Sequence, residues 1–390
     1  MKNQTAPMRT ENIAKVIRLH LAIELSRKKW KLAFSDGRGG RARLRTVAGR
    51  DLQALQGEIA QAKRHFGLAD EVETVSCYEA GREGFWVHRA LTAHGVVNVI
   101  VDAASIDVQR RKRAKTDRLD AESLVRKLVR YYAGEAEVWS IVRVPSAEQE
   151  AARQLHRDMA VRQRERQQHR MRIQSLLYTQ GIEVQVTAKT IRDLEQLRCW
   201  DGQPIAADLQ ERIRREYARL EHSERDLRAL KKQQQARLKQ ETTAAMEKIR
   251  LLQQLCGIAM KSSWVFVREL FGWRQFSNRR EVAGALGLTP MPYQSGDSAH
   301  EQGISRAGNR RVRAMAIEIA WSWLKYQPQS DLSQWYQKRF GGGGKRQRRI
   351  GIVAMGPTIN DRPLALPRKR NVAGRCTAEG CSQPLVRSQG

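Results

Sequence analysis

Short apolar runs, several of them alternating with polar residues, set the pattern of the chain up to residue 101. Alternation with a period of two is typical of strands, and recurrence every three to four residues is typical of helices. We predict strands over residues 20–26, 29–35 and 42–47, a helix over 52–66, a strand over 72–78, a helix over 84–94 and a strand over 97–101. Three strands followed by alternating helices and strands indicate an α/β domain with a mixed sheet.

Longer helical patterns follow. Residues 146–180 are predicted to form a strongly basic helical segment. Ile213, Leu220 and Leu227 recur every seven residues, which predicts a coiled-coil-like helix over 208–240. A long solvated helix packed on its own chain is the plain alternative. We favour a coil, formed either with a second chain or as a hairpin.

Glycines mark the third region, which begins at residue 252. Gly257 stands directly before an apolar helix, where a glycine lets the backbone approach a phosphate closely. Glycines and arginines then alternate over residues 303–313. This pattern predicts a loop that wraps a sugar-phosphate backbone.

Charge changes the picture more than any other property of composition. The chain has 390 residues and a formal net charge of +30, which favours a polyanionic partner. No apolar run approaches the roughly 18 residues needed to span a bilayer, and no signal peptide opens the chain, so we predict no membrane partner. Five scattered cysteines favour a reducing, cytoplasmic location over a disulfide framework. Cys376 and Cys381 lack the second pair that a zinc site needs.

Four carboxylates are the candidate chemistry. Asp117 and Asp120 are three residues apart on a predicted helix, which places them on one face. Glu24 and Glu79 each stand at the end of an apolar, β-prone run. Carboxylates on two strands and a helix can hold hard divalent cations. Because the rest of the chain is strongly basic, we predict that the cleft they form cuts nucleic acid. Taken alone, the aspartate pair could instead form surface salt bridges with Arg113 and Arg118.

Two sets of motifs stand in order along the chain. The first set is Tyr78-Glu79-Ala80 and Lys115-Thr116-Asp117-x-x-Asp120-Ala121. The second set comprises residues 257–258, 285–290, 294–296 and 305–309. Together the two sets resemble those of one family, the DEDD-type insertion-sequence transposases, which are RNA-guided recombinases. The resemblance covers about residues 21–355. It implies an α/β, RNase H-like (RuvC-like) mixed-sheet domain over 15–145, a basic helical, coiled-coil segment over 146–248, and a mostly α second transposase domain over 249–355.

The resemblance also implies a mechanism. Glu24, Glu79, Asp117 and Asp120 would bind Mg²⁺, with two ions expected, and Ser295 would be the nucleophile. Glu24 departs from the family, which has aspartate there, and its side chain reaches one methylene further. Ser298 and Ser305 are the neighbouring competitors of Ser295, and His300 is a weak candidate for a base.

The implied partners are DNA, at the element ends and the target, and a guide RNA. A homodimer or homotetramer is expected because strand exchange needs paired cuts. The residues predicted to contact nucleic acid are Arg153, Arg157, Arg162, Arg166, Arg170, Gly257, Arg306, Asn309, Arg310 and Arg311.

The last segment, residues 356–390, changes character. Prolines and basic residues stand where the family continues as an apolar helix with a tryptophan. From residue 362 onward the sequence permits codons that, read one base later, spell Ala-Leu-Trp-Arg-Tyr-Leu. We therefore predict a frameshift near Met355 and a disordered tail.

Three functions remain open on the sequence alone. The first is a site-specific DNA recombinase that moves its own element. The second is a structure-selective nuclease of the junction-resolvase type, which would need the four carboxylates but not Ser295. The third is a catalytically silent nucleic-acid-binding protein.

Overall fold

The computed structural model describes residues 17–106, 117–255, 257–295 and 298–365. Both ends of the chain, before residue 17 and after residue 365, lie outside these ranges. The chain divides into two compact units, one ending at Val144 and the other beginning at Pro145. No helix of the described ranges is long and apolar enough to cross a membrane.

The first unit is a five-stranded sheet flanked by helices. Its elements are β1 (Leu19–Leu25), β2 (Lys29–Ser35), β3 (Arg43–Ala48), α1 (Leu52–His65), β4 (Thr74–Glu79), α2 (Trp86–Ala93), β5 (Val97–Val101) and α3 (Asp117–Tyr132). The strand order is β3-β2-β1-β4-β5. β2 is antiparallel to both β1 and β3, whereas β1, β4 and β5 run parallel. The predicted mixed α/β sheet is confirmed, and its RuvC-like identity stays a prediction.

Successive side chains of a strand point to opposite sides of the sheet. The strands carry apolar residues on both sides, and helices cover both faces. Leu21 and Ile23 of β1 pack with Leu55 of α1 in one core cluster. Ala22 of β1 packs with Leu124 of α3 in the other cluster. The small side chains of this second cluster let α3 lie close to the strands. α3 thus covers the face opposite to α1 and α2.

The second unit is mostly helical. Its elements are α4 (Ala147–Ala151), α5 (Gln154–Tyr178), α6 (Ala188–Arg192), α7 (Ala207–Gln240), α8 (Ala244–Gln253), α9 (Met260–Phe266), α10 (Arg279–Leu286), β6 (Pro290–Ser295), β7 (Ser298–Ile304), α11 (Arg310–Tyr326), α12 (Asp331–Tyr336) and α13 (Lys345–Ala365). A π-helical turn, Val267–Phe271, continues α9. β6 and β7 form an antiparallel hairpin.

The coil predicted from the heptad spacing is a hairpin within the chain. Ile213 and Leu220 of α7 are buried in one cluster with Ile173 of α5. His169 Nδ1 lies 2.7 Å from Glu216 Oε2, and Arg162 Nε lies 3.9 Å from Asp226 Oδ2. The earlier residue of α5 therefore pairs with the later residue of α7, so the two helices run antiparallel.

The C-terminal core is built around α9 and α11, and α13 closes it. Trp264 and Trp323 are fully buried there, together with Met355 of α13. α13 runs on to Ala365, so the expected start of disorder at residue 356 falls inside a helix.

Candidate active site and nucleic-acid interface

Glu24 and Glu79 lie side by side at the ends of two parallel strands. The register pairs Ala22 with Cys77 and Ile23 with Tyr78. Glu24 and Glu79 occupy the next position, on strands that lie about 4.8 Å apart. Ala22 and Cys77 pack on the α3 side of the sheet, so the alternation directs Glu24 and Glu79 to that same side.

α3 brings the two aspartates toward the same edge. Its last residue, Tyr132, has its ring 6.1 Å from that of His20, near the start of β1. α3 has 16 residues and β1 has seven, so each is about 20–25 Å long. The first turn of α3, which carries Asp117 and Asp120, therefore lies toward the end of β1, where Glu24 stands.

This edge collects carboxylates without closing a site around them. Across the described ranges, no three His, Cys, Asp or Glu side chains approach closely enough to hold a metal ion together. Glu79 and Asp117 are exposed, and Glu24 and Asp120 are half-buried. The donors are all carboxylate oxygens, so the chemistry of the set fits a hard cation such as Mg²⁺. Lys115 and Thr116 of the motif lie outside the described residues.

A further carboxylate was missed by the sequence reasoning. Asp102 directly follows β5, and its N–H donates to the carbonyl of Ser140 at 2.9 Å. Because β5 is parallel to β4, Asp102 stands at the same edge of the sheet as Glu79. The signal was present in the sequence, since an acidic residue ends a buried apolar run there as it does at Glu79.

Ser295 is the last residue of β6 and stands at the tip of the hairpin. Its register partner is Ser298 of β7, and His300 pairs with Tyr293 further down. Gly296, between the two strands, lies outside the described residues. Ser305 stands at the opposite end of the hairpin, where its Oγ accepts a hydrogen bond from Thr289 Oγ1 at 3.1 Å. The backbone thus separates Ser295 from Ser305 and leaves Ser298 as its close neighbour.

The glycine motifs form the hairpin base, by which we mean residues 285–289 and 305–309. Asn309 N donates to the Ala285 carbonyl at 2.9 Å, and Arg306 N donates to that of Gly287 at 3.1 Å. A Cβ at Gly308 would stand 2.1 Å from the Ala285 oxygen. Gly287 has a φ of +64°, the left-handed region that favours glycine. These glycines hold two chain segments together, a role that the sequence did not predict.

Glu269 connects the hairpin base to α5. Its side chain is fully buried and accepts from His156 Nε2 at 2.9 Å, Arg157 Nε at 2.8 Å and Asn309 Nδ2 at 3.1 Å. Burial alone would raise the pKa of Glu269, but hydrogen bonds from His156 and Arg157 outweigh it and hold the pKa well below its usual range. Asn309 Oδ1 also accepts from the Arg311 and Val312 amides, so it caps α11. The side chain of Asn309 therefore positions the start of α11.

Most of the α5 arginines predicted to contact phosphate lie against other groups of the protein. Arg153 is buried, with its guanidinium 4.6 Å from the Trp273 ring centroid. Arg162 and Arg170 pair with Glu165 and Glu224 at 2.5 Å and 3.4 Å. Arg157 pairs with Glu269, as above. Arg166 differs, because no carboxylate of the described ranges lies within 4 Å of it.

The remaining predicted contact residues lie near α11. Arg306, Arg310 and Arg311 are exposed at the turn into this helix, and Arg306 has a φ of +56°. Gly257 also has a positive φ, +87°, and a Cβ there would stand 3.7 Å from the Ser322 backbone of α11. The exposed arginines are placed to meet an anion, whereas Gly257 packs against the helix.

The fold and these sites define the class: a basic, two-unit α/β protein with an acidic sheet edge in one unit and cationic surfaces in the other. Comparison with known proteins makes the class specific. The sequence profile of the Transposase IS116/IS110/IS902 family matches residues 249–334. "Putative transposase y4rJ" of Sinorhizobium fredii is 36% identical over 351 residues, which span 86% of this chain and 88% of that protein. "Putative transposase y4qE" of the same organism is 28% identical over 256 residues, 65% of this chain and 59% of its own length.

The chain belongs to the IS116/IS110/IS902 family of transposases. A transposase acts on DNA, which agrees with the net charge of the chain.

Proposed function

We propose that this transposase cuts and rejoins DNA at the ends of an insertion sequence, with four carboxylates and one serine as its catalytic groups. The observation that carries the proposal is the sheet edge at which Glu24 and Glu79 share a register position and a face. Asp117 and Asp120, in the first turn of α3, approach that edge from the same side.

Glu24, Glu79, Asp117 and Asp120 would hold Mg²⁺. Bound there, Mg²⁺ supplies the positive charge that stabilises the attacking and leaving oxygens of a phosphodiester exchange. The four residues would hold the cations through their carboxylate oxygens. Asp117 lies in the first turn of α3, whose N-terminal amides also favour a negative charge nearby.

Ser295 would attack the scissile phosphate. Its Oγ forms a bond to phosphorus while a phosphorus–oxygen bond of the strand breaks, and the released DNA hydroxyl takes up the proton. The phosphodiester energy is kept in the serine ester, so a DNA hydroxyl can reverse the exchange and rejoin strands without ATP. The end of a two-stranded hairpin, where Ser295 stands, suits a group that must approach DNA.

Arg306, Arg310 and Arg311 would neutralise phosphate near this hairpin. All three are exposed and follow β7 directly at the start of α11. We extend the proposal to a guide RNA as the second nucleic acid, on the strength of the motif resemblance and the net charge of +30. Homodimers or homotetramers are the proposed assembly, which light scattering of the purified protein measures.

The decisive experiment looks for DNA bound covalently to the protein. The full chain is incubated with Mg²⁺, element-end DNA and flanking RNA, and denaturing gels report an adduct. We expect an adduct that Ser295→Ala abolishes and that its matched control Ser298→Ala retains, because only Ser295 is assigned the attack. Asp117→Asn should abolish cleavage altogether.

Other outcomes identify other functions. Cleavage that survives Ser295→Ala without an adduct would mean hydrolysis by a structure-selective nuclease. Binding without any cleavage would mean a catalytically silent nucleic-acid-binding protein. An adduct that Ser298→Ala abolishes instead would move the nucleophile to the other side of the hairpin tip.

A further inference from the structure

A pocket of about 460 Å³ lies in the second unit, between the α5–α7 hairpin and the helices α9 and α11. Its volume lies within the roughly 300–1,000 Å³ of small-ligand sites. Ser295 and the four carboxylates proposed above do not line it, whereas Arg311, proposed above to neutralise phosphate, does. The rest of the lining is distinct from that proposal, and it indicates what the pocket would bind.

The charge of the lining is of one sign. Arg166 of α5, Lys231 of α7, Lys261 of α9 and Arg311 of α11 all line the pocket, and no aspartate or glutamate does. Lys261 lies 3.4 Å from Glu318. For Arg166, Lys231 and Arg311, by contrast, no carboxylate of the described ranges lies within 4 Å. Most of the other arginines of the α5–α7 hairpin pair with acids. Arg166 and Lys231 of that hairpin, and Arg311 of α11, therefore remain available for an anion.

The rest of the lining combines sulfur and amide groups. Met159, Met260 and Met315 contribute three thioethers, which contact aromatic rings favourably. Gln234 also lines the pocket and is only 4% exposed. Glutamine amides can pair with the edge of a nucleobase.

We propose that this pocket takes one unstacked nucleotide from a single strand. The cations would meet its phosphate, the methionines its flat base and Gln234 an edge of that base. A duplex is too wide to enter, so the nucleotide must be unpaired or swung out of a stack, which costs least in a strand that is already single. The inference rests on the proposed action on nucleic acid for the class of ligand; it shares Arg311 with that proposal, but neither Ser295 nor any of the four carboxylates.

A matched pair of double variants tests the proposal. Arg166→Ala/Lys231→Ala removes two lining cations, whereas Arg164→Ala/Lys232→Ala removes two exposed cations of the same two helices that do not line the pocket. The full chain binds a single-stranded oligonucleotide that carries one 2-aminopurine, whose fluorescence rises when the base unstacks. Circular dichroism checks that each variant is folded, and Mg²⁺ is left out so that no cleavage is required.

We expect the pocket variant to bind about tenfold more weakly or worse, the worth of one lost charged hydrogen bond, and to lose the fluorescence rise. The control variant should change affinity about twofold or less and keep the rise. Gln234→Met, which retains the bulk of the side chain without the amide, should also reduce the rise. Ribose and deoxyribose versions of the oligonucleotide distinguish the source: the tighter binder identifies the pocket's partner as RNA or DNA.

Two results would overturn the proposal. Equal weakening by both double variants, with the fluorescence rise kept, would mean diffuse electrostatic binding. Displacement of the oligonucleotide by inorganic phosphate as effectively as by a nucleoside monophosphate would mean an anion site that does not recognise a base. Binding and fluorescence are both measured without Mg²⁺ and without cleavage, so a failure of the catalytic assignment leaves this test intact.

Discussion

Glu269 accepts hydrogen bonds from three other residues. It joins α5, through His156 and Arg157, to Asn309, the residue that caps α11. Sequence reasoning could not find this network, because Arg157 and Glu269 are far apart in the chain. For the same reason, a basic run in a sequence cannot distinguish an arginine with an internal carboxylate partner, such as Arg162, from one without, such as Arg166.

Glu269→Gln should destabilise the second unit by about 3 kcal/mol or more, because it leaves buried His156 and partly buried Arg157 without their anion. Chemical denaturation of the full chain measures the change. Glu247→Gln is the control, since Glu247 is exposed on α8 and should change stability by about 0.5 kcal/mol or less. Equal effects of the two substitutions would contradict the assigned role.

The same carboxylate makes stability depend on pH. Because its hydrogen bonds to His156 and Arg157 lower the pKa of Glu269 in the folded protein, its contribution is fully present above the unfolded pKa of about 4.3. It is lost as the pH falls below that value toward the lower pKa of the folded state. Between about pH 6 and pH 3, the unaltered chain should therefore lose more stability than Glu269→Gln does. Parallel stability curves for the two proteins would disprove this.

At the scale of elements, the sequence predicted most of the first unit. The strands at 29–35 and 97–101 match β2 and β5, and the other predicted bounds fall within about two residues, because period-two patterns are local signals. The edge shared by Glu24, Glu79, Asp117 and Asp120 was also expected.

The partner of the α7 heptads could not be predicted, since a seven-residue repeat is the same for a second chain and for a hairpin. The packing role of the glycines in the hairpin base could not be predicted either, because close approach to a phosphate and close approach to another chain segment require the same residue.

Gly308→Ala should destabilise the second unit, because the added methyl group would stand 2.1 Å from the Ala285 carbonyl oxygen and force the hairpin base apart. We expect a cost of about 1–3 kcal/mol. Gly284→Ala, within α10, is the matched control: its Cβ would meet no atom within 4 Å, and alanine should stabilise that helix by roughly 0.5–1 kcal/mol. Thermal unfolding compares the two, and a stabilising Gly308→Ala would contradict the close approach.

At the scale of the whole molecule, charge governs how the protein meets its substrate. The net charge of +30 is spread over a chain in which many arginines pair internally. Sequence counting therefore overstates the cations available to phosphate, although it gives the correct sign. The frameshift proposed near Met355 also belongs at this scale: the nucleotide sequence of the neighbouring frame decides whether the apolar helix of the family is encoded there.

Affinity for DNA should fall steeply with salt, because each neutralised phosphate releases counterions. A protein that makes six to ten phosphate contacts loses about 10³–10⁵ in affinity between roughly 50 and 200 mM salt. Fluorescence anisotropy with duplex DNA measures the slope. Arg310→Ala/Arg311→Ala should reduce its magnitude by about 1–2, whereas Arg162→Ala, which removes an arginine paired with Glu165, should leave it nearly unchanged. The reverse ranking would mean that the internal pair opens on binding.

The hairpin base described above constrains some positions of the second unit and leaves the length of the β6–β7 hairpin unconstrained. The close contact between Gly287 and Gly308 fixes the positions at which β6 begins and β7 ends. It does so whatever the length of the chain between them. For a flexible insertion, each doubling of that length costs only about 0.6 kcal/mol of closure entropy. Over evolutionary time, the hairpin that carries Ser295 is therefore free to lengthen or shorten while the rest of the unit keeps its core.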